Sequence, residues 1–419
     1  MKYKIFSLGC KVNNYESEYV SSLLEKEGYS FSHDVKDADI IVVNTCTVTN
    51  NADKKCKKLI RSIKRENENA ILVVMGCYSQ YVKGNVIGDI VLGNKDKSKI
   101  VEYINEYKKN KNKIVKIYDM NNEKHEFENM EIKHYDTHTR AFVKIEDGCN
   151  NFCSYCIIPY VRGRVRSKDK DKVINEVKTL VNSGHKEIVL TGIHTGQYQS
   201  GEYNLSDLLN ELIKIDGLYR LRLSSIEVVE VNDKIIELLK SSKILVSHMH
   251  IPLQSGSNVI LRKMNRRYNK EYFLDKINEI RKVRPNINIT TDVIVGFNYE
   301  TDELFKESYE FCKEIKFGKI HVFPYSERNG TKASTFEHKI NEMIKKERVN
   351  KLLCLSKEME YNYYEQFIGK DVEVLIEEVK NGYSYGFTEN YIKVRINKEL
   401  KNNQFYKITL KKENLMIEI

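Results

Sequence analysis

The first hundred residues alternate short apolar runs with amphipathic stretches. Residues 5–8, 40–43 and 71–74 (Ile-Phe-Ser-Leu, Ile-Ile-Val-Val, Ile-Leu-Val-Val) are brief, continuous and rich in branched side chains, the pattern of strands buried on both faces. Helical periodicity falls between them, at about residues 15–27 and 53–65. This order predicts an α/β domain with a doubly wound parallel sheet over residues 1–112. The alternation lapses from 107 to 139, where Lys, Asn, Glu and His dominate, and residues 113–138 are expected to form a partly ordered linker in which His134 and His138 are solvated. Six further strand candidates follow at 141–145, 187–190, 221–224, 248–251, 289–295 and 319–323, each leading into a helical pattern or a turn. Six βα units suggest an incomplete barrel over 139–366, with its functional end at the C-terminal ends of the strands. His248 and His250 alternate like strand side chains and are read as structural. After a helix to about residue 366, four short strands (372–376, 383–387, 392–396, 406–410) predict a small β-barrel over 367–419.

Composition narrows the class of molecule. A chain of 419 residues exceeds one ordinary core and implies roughly two or three domains. Hydrophobic residues at 41% and charged residues at 31% describe a water-soluble protein, and no apolar run approaches the length that spans a bilayer. The N-terminus lacks the features of a signal peptide, so a cytoplasmic location is expected. Thiols stay reduced there, and clustered cysteines then point to metal or catalysis rather than disulfides. The net charge of +10 permits a polyanionic partner without requiring one, since Lys, Asn, Ile and Tyr are all abundant.

The cysteines carry the chemistry. Cys149, Cys153 and Cys156 follow one another as Cys-x3-Cys-x2-Cys directly after the first barrel strand, with no fourth Cys or His nearby. A structural zinc site wants four protein ligands, so a zinc reading needs a distant fourth. A 4Fe-4S cluster held by three thiolates instead keeps one iron open. A second set is dispersed: residues 5–8, 40–43 and 71–74 run into Cys10, Cys46 and Cys77. In a parallel α/β sheet the crevice lies beyond the carboxyl ends of the strands, so these three should emerge on one edge, the glycines before Cys10 and Cys77 allowing close approach of a bulky group. Cys56 is expected to lie off this crevice, and Cys312 and Cys354 in apolar helix faces.

The triad resembles the signature of the radical S-adenosylmethionine superfamily, and two three-cysteine sets in this order resemble the radical methylthiotransferases over nearly the whole chain. Within them, Gly9-Cys10-Lys11-Val12-Asn13-Asn14-Tyr15-Glu16, Asn44-Thr45-Cys46-Thr47-Val48-Thr49-Asn50 and Cys156-Ile157-Ile158-Pro159-Tyr160-Val161-Arg162-Gly163-Arg164 resemble the branch that modifies threonylcarbamoyladenosine in tRNA. The isopentenyladenosine branch more usually carries Gln-Met-Asn after the first cysteine, and the branch acting on a ribosomal protein Pro-Lys-Asn. Departures are the missing Pro-Gly in residues 296–301, Val228 where proline is common and Lys168 where arginine is usual.

The resemblance implies two 4Fe-4S clusters, one on Cys149, Cys153 and Cys156 that cleaves S-adenosylmethionine and one on Cys10, Cys46 and Cys77 that presents sulfur. It places Tyr155 against the adenine of S-adenosylmethionine. Gly192, Ser224, Glu227 and Gln254 stand on strand-end segments expected to surround that cofactor, although each is also at home in a turn or helix cap. Arg162, Arg164 and Arg166, on a Gly-containing turn beside the triad, suit phosphate and stacked bases, and a solvated surface loop is the alternative. Phe387 and Tyr391 sit in a C-terminal segment that resembles the RNA-binding TRAM domain. Implied partners are the anticodon loop of tRNA and a reductant such as flavodoxin or ferredoxin, with no membrane and no DNA. The implied activity adds a methylthio group to carbon two of threonylcarbamoyladenosine next to the anticodon. Isopentenyladenosine or a ribosomal protein are the alternative substrates, and a non-catalytic metal-stabilised RNA-binding protein the alternative class.

Overall fold

The computed structural model describes residues 1–135 and 139–417. The predicted alternation folds as a six-stranded, all-parallel sheet. Its strands are β1 (Lys2–Ser7), β2 (Ser30–Phe31), β3 (Ile40–Thr45), β4 (Ile71–Gly76), β5 (Ile90–Leu92) and β6 (Ile114–Lys116), ordered β2-β1-β3-β4-β5-β6. Helices α1 (Lys11–Lys26), α2 (Asn50–Glu66), α3 (Cys77–Tyr81) and α4 (Ile100–Asn110) connect them, and the mostly apolar β3 and β4 are buried on both faces. The chain reverses direction across the sheet between β1 and β3, so the crevice lies beyond their carboxyl ends.

The barrel begins at β7 (Arg140–Lys144), followed by the short pair β8 (Glu146–Asp147) and β9 (Arg166–Ser167), which brackets the cysteine loop and α5 (Ile158–Arg162). After α6 (Lys170–Asn182) come β10 (Glu187–Thr191), a small hairpin of β11 (Gln199–Ser200) and β12 (Tyr203–Asn204), α7 (Leu205–Leu212), β13 (Arg220–Leu223) and α8 (Asp233–Ser241). The second half holds β14 (His248–His250), α9 (Asn258–Lys263), α10 (Lys270–Val283), β15 (Asn288–Val295), α11 (Asp302–Ile315) and β16 (Lys319–Pro324). The parallel sheets β7-β10-β13 and β14-β15-β16 are joined by a bridge between Leu221 and Leu245, which makes a six-stranded open barrel. Its core, from Ala141 and Val143 through Leu190 and Leu221 to Ile289 and Ile320, is almost fully buried.

The segment read as a linker is built into the structure. Its start forms β6, and Met130, Ile132 and Tyr135 enter the barrel core. The Met130 carbonyl accepts from Tyr15 Oη at 2.8 Å and Lys168 Nζ at 2.6 Å, and Glu176 accepts from Ile132 N at 2.9 Å. Three apolar residues in a polar stretch suffice when each finds a prepared slot. His134 rests against the His185 ring, and His138 lies outside the described residues.

Helix α12 (Glu342–Glu365) leads to a four-stranded antiparallel sheet of β17 (Asp371–Lys380), β18 (Tyr383–Thr388), β19 (Lys393–Ile396) and β20 (Phe405–Thr409), ordered β19-β18-β17-β20. This sheet closes the N-terminal end of the barrel. Arg140 pairs with Glu377 at 2.7 Å, Arg220 donates to the Phe387 and Glu373 carbonyls, and Asn288 donates to the Asn390 carbonyl. Among the described residues no helix is long and apolar enough to cross a membrane.

Candidate active site

The triad occupies the loop between β8 and α5, at the C-terminal end of the first barrel strand. Gly148, at φ +89°, starts the loop, and a Cβ there would meet the Arg164 carbonyl at 2.1 Å, so only glycine lets the two arms of the loop close. Donors face the sulfurs: Arg266 Nη1 approaches Cys153 Sγ at 3.2 Å, Asn151 N approaches Cys149 Sγ at 3.5 Å, and His194 Nδ1 lies 3.4 Å from Cys149 Sγ. Burial disfavours the charged His194 ring, but hydrogen bonds to Cys149 and Glu230 outweigh it and raise its pKa to about 10. Burial raises the Cys156 thiol above its ordinary range, with the neighbouring Cys153 thiol adding to the rise. Among the described residues no three His, Cys, Asp or Glu side chains gather around a point the size of a single ion.

The dispersed cysteines converge as the topology requires. Register pairs Ser7 with Asn44 and Asn44 with Met75, so Cys10, Cys46 and Cys77 leave three adjacent strands together. A Cβ on Gly9 would lie 2.8 Å from Cys46 Cβ and 3.1 Å from Cys46 Sγ, which requires glycine beside this thiol. Burial pushes Cys46 up to about 12, with the thiols of Cys77 and Cys10 adding to the rise. Cys56 is not off the crevice: it is fully buried behind this site, its thiol donating to the Cys46 carbonyl at 3.3 Å. Cys312 is buried as expected, whereas Cys354 is exposed, because it falls on the solvent side of α12.

The two sites are joined. Arg162, the last residue of α5 and six residues past Cys156, is completely buried and donates from Nε to Cys77 Sγ at 3.2 Å. Its Nη1 reaches Glu16 at 3.0 Å and Asp147 at 3.1 Å, and Nη2 reaches Asn13 at 2.9 Å. Lys144, Lys97 and, at 3.7 Å from Asp147, Arg166 complete a network of four cations and two carboxylates, which leaves surplus positive charge on the Cys77 side. Burial opposes the Glu16 charge, but Arg162, Lys144 and Lys97 hold its pKa well below the usual carboxylate range. Arg162 is therefore no RNA contact: the carboxylates of α1 and β8 draw it inward. Arg166 turns back onto the carbonyls of Arg162 and Arg164. Arg164 alone of the three is exposed, lying 4.3 Å over the Phe152 ring, which stands edge-on to the exposed Tyr160 at 5.6 Å.

The residues expected around S-adenosylmethionine are at the strand ends as anticipated. Tyr155 follows Ser154, whose backbone is tied to Met264 and Ala333, and its ring faces Phe297 at 6.4 Å. Gly192 backs onto Glu146, Glu227 is ion-paired with Arg266, Ser224 Oγ is buried without a partner, and Gln254 has φ +66° on the edge of β15. Sequence reasoning missed His194 and Arg266, whose roles depend on long-range contacts with Cys149 and Cys153. Lys168, an atypical position, is absorbed by burial against Glu176.

A cavity of about 800 Å³ runs from Gly9, Cys10 and Lys11 past Gly192 and Ser224, through the barrel, to Phe387 and Tyr391. His248 and His250, read as structural, line it. Phe387 and Tyr391 stack at 4.7 Å, and Tyr391 stacks on His248 at 4.8 Å, under the guanidinium of Arg140. They face this interior and not an outer surface.

A six-stranded open parallel barrel with a three-thiol loop after its first strand defines a radical S-adenosylmethionine protein. The family model described as "Radical SAM superfamily" matches residues 143–312, and that described as "Uncharacterized protein family UPF0004" matches 2–93. The chain is 42% identical over 93% of its length, and 88% of the relative's, to "Threonylcarbamoyladenosine tRNA methylthiotransferase MtaB" of Bacillus subtilis (strain 168). It is 39% identical over 90% of its length, and 85% of the relative's, to "tRNA-2-methylthio-N(6)-dimethylallyladenosine synthase" of Clostridium novyi (strain NT). The solved radical S-adenosylmethionine methyltransferase TsrM from Kitasatospora setae shares the fold at 13% identity, with a TM-score of 0.58 over 77% of this chain and 74% of that one. This chain belongs to the radical S-adenosylmethionine tRNA methylthiotransferase family.

Proposed function

We propose that the protein adds a methylthio group to carbon two of N6-threonylcarbamoyladenosine next to the anticodon of tRNA, in the cytoplasm, with electrons from a flavodoxin- or ferredoxin-type reductant. The observation that carries this reading is the pair of three-thiol sites joined through one buried arginine, with Cys10 and the strand-end residues Gly192 and Ser224 lining one cavity. The donor sets fit 4Fe-4S clusters: three thiols each, with N–H groups and cations directed at sulfur, as anionic clusters need. When bound, the clusters and S-adenosylmethionine supply the adenosyl radical and the transferable methylthio sulfur. The protein's own residues do the rest. Cys149, Cys153 and Cys156 hold one cluster, and Arg266 and His194 orient its ligands. Tyr155, Gly192, Ser224, Glu227 and Gln254 border the S-adenosylmethionine site. Cys10, Cys46 and Cys77 hold the second cluster, whose charge the surplus positive charge of the Arg162 network offsets.

Arg164, Phe152 and Tyr160 form an exposed cation–aromatic surface beside the triad that suits stacked bases and phosphate. The C-terminal sheet is proposed as a TRAM-type RNA-binding module, supported by the exposed lysines 370, 380, 398, 401, 407, 411 and 412 on its outer side. Mass spectrometry of tRNA nucleosides tests the function. Cells lacking the protein should accumulate threonylcarbamoyladenosine without its methylthio derivative, and restoration of the gene should return it. Loss of only the methylthio derivative of isopentenyladenosine would overturn the substrate.

A further inference from the structure

Relatives named for two different adenine arms are similarly identical to this chain, at 42% and 39%, so overall identity does not choose the arm and the site must. The cavity offers a specific residue. Lys11 opens α1, lines the cavity, and among the described residues makes no ion pair or side-chain hydrogen bond. Arg222 is answered by Glu187 at 2.7 Å, Arg140 by Glu377 at 2.7 Å and Lys319 by Glu360 at 3.1 Å, which leaves Lys11 and Lys393 as the cavity-lining lysines without an ion pair among the described residues. Lys11 stands within electrostatic reach of Arg140 and Arg222, which repel it, and of Tyr391 and Glu187, which favour its charge, although Glu187 is already shared by Arg220 and Arg222. Three cavity-lining residues also carry buried polar atoms without a partner: Ser224 Oγ, His248 Nδ1 and Asn288 Oδ1, in side chains that are 8%, 7% and 2% exposed. A cation without an ion pair beside unfilled hydrogen-bonding groups is costly unless an anion with polar groups enters. Lys393 lines the cavity from the C-terminal sheet. Lys11 differs in being covalently next to Cys10, where sulfur would be presented.

We infer that Lys11 is the specificity-determining residue, pairing with the carboxylate of the amino-acid arm on N6 while carbon two of the same base faces the Cys10 site. N6 and carbon two flank N1 on one edge of adenine, so a residue adjacent to Cys10 can reach an N6 arm. An apolar dimethylallyl arm would leave Lys11 desolvated and unpaired, so the same side chain accepts one arm and rejects the other. The inference rests on the proposed substrate and names how that substrate is chosen.

The test compares reconstituted wild type, Lys11→Gln and Lys11→Arg on one tRNA carrying threonylcarbamoyladenosine, isopentenyladenosine or unmodified adenosine. Both kcat/KM and equilibrium binding of the matching anticodon stem–loops are measured. Loss of one charge-assisted contact predicts that Lys11→Gln lowers kcat/KM on the threonylcarbamoyl tRNA by about 10- to 100-fold relative to its effect on the other two. The same variant should erase the binding preference for the threonylcarbamoyl stem–loop, and Lys11→Arg should keep most of it. Equal losses on all three tRNAs, or an unchanged preference, would overturn the inference while wild-type activity on threonylcarbamoyladenosine left the proposed function standing. Wild-type product only on isopentenyladenosine would instead defeat the proposed function, and the inference with it.

Discussion

The two cysteine sites are assembled in opposite ways. Cys149, Cys153 and Cys156 lie within eight residues of one loop, and local geometry brings them together once Gly148 lets the loop close. Cys10 and Cys77 are 67 positions apart, with Cys46 between them, and the three meet only because β1, β3 and β4 are neighbours in the sheet. The local site depends on spacing and the dispersed site on topology. Between them, Arg162 is contributed by the local site and spent on the dispersed one, which couples their positions through a buried charge network.

The sharpest test of this contrast removes one set at a time. Replacing Cys149, Cys153 and Cys156 together with alanine should reduce 5′-deoxyadenosine release from S-adenosylmethionine to background, as read by liquid chromatography after anaerobic reconstitution. Persistent release would move radical formation away from the loop. Replacing Cys10, Cys46 and Cys77 should instead lower reconstituted iron from about eight to about four per chain. Release of 5′-deoxyadenosine should then continue without methylthio product. Equal iron in wild type and this variant, or zinc in place of iron, would break the two-cluster reading.

The bridge is tested by Arg162→Met in the apoprotein. Glu16 and Asp147 lose a shared partner while fully desolvated, so chemical denaturation should show a loss of about 3–5 kcal/mol. Adding Glu16→Gln should lower stability further, since the buried Lys97 then loses its carboxylate partner and Lys144 one of its two. A change under 1 kcal/mol would show that Lys144 and Lys97 suffice without Arg162. The smallest effect is expected outside the network. Arg164→Ala should weaken tRNA binding a few-fold and reduce the salt slope by about one contact, with no loss of iron. An unchanged slope would leave phosphate contact to the C-terminal lysines.

Much of the architecture was legible in the chain. All six barrel strands and all four C-terminal strands fall within a few residues of the expected runs, because continuous apolar stretches and period-two alternation leave little choice of element. The short strands β2, β5 and β6 at the two sides of the sheet escaped, being two or three residues long with no pattern of their own. Side-chain destinations were the harder matter. Arg162, Arg164 and Arg166 look alike on one turn, yet one is buried, one exposed and one folded back, since carboxylates from α1 and β8 arrive on one side only. His248 and His250 alternate as strand residues must, but periodicity cannot say that the face they share borders a cavity.

What the sequence determined by itself is therefore the set of elements and the ligand loop, because both depend on spacings of a few residues that covalent geometry enforces. The tertiary structure decided which distant groups meet: Cys56 behind Cys46, Arg162 on Cys77, Arg266 and His194 on the triad, and Lys11 in a cavity walled by the barrel and the C-terminal sheet. Those encounters are set by sheet order and by the burial of charge, quantities that belong to the packed whole and to no local stretch of chain.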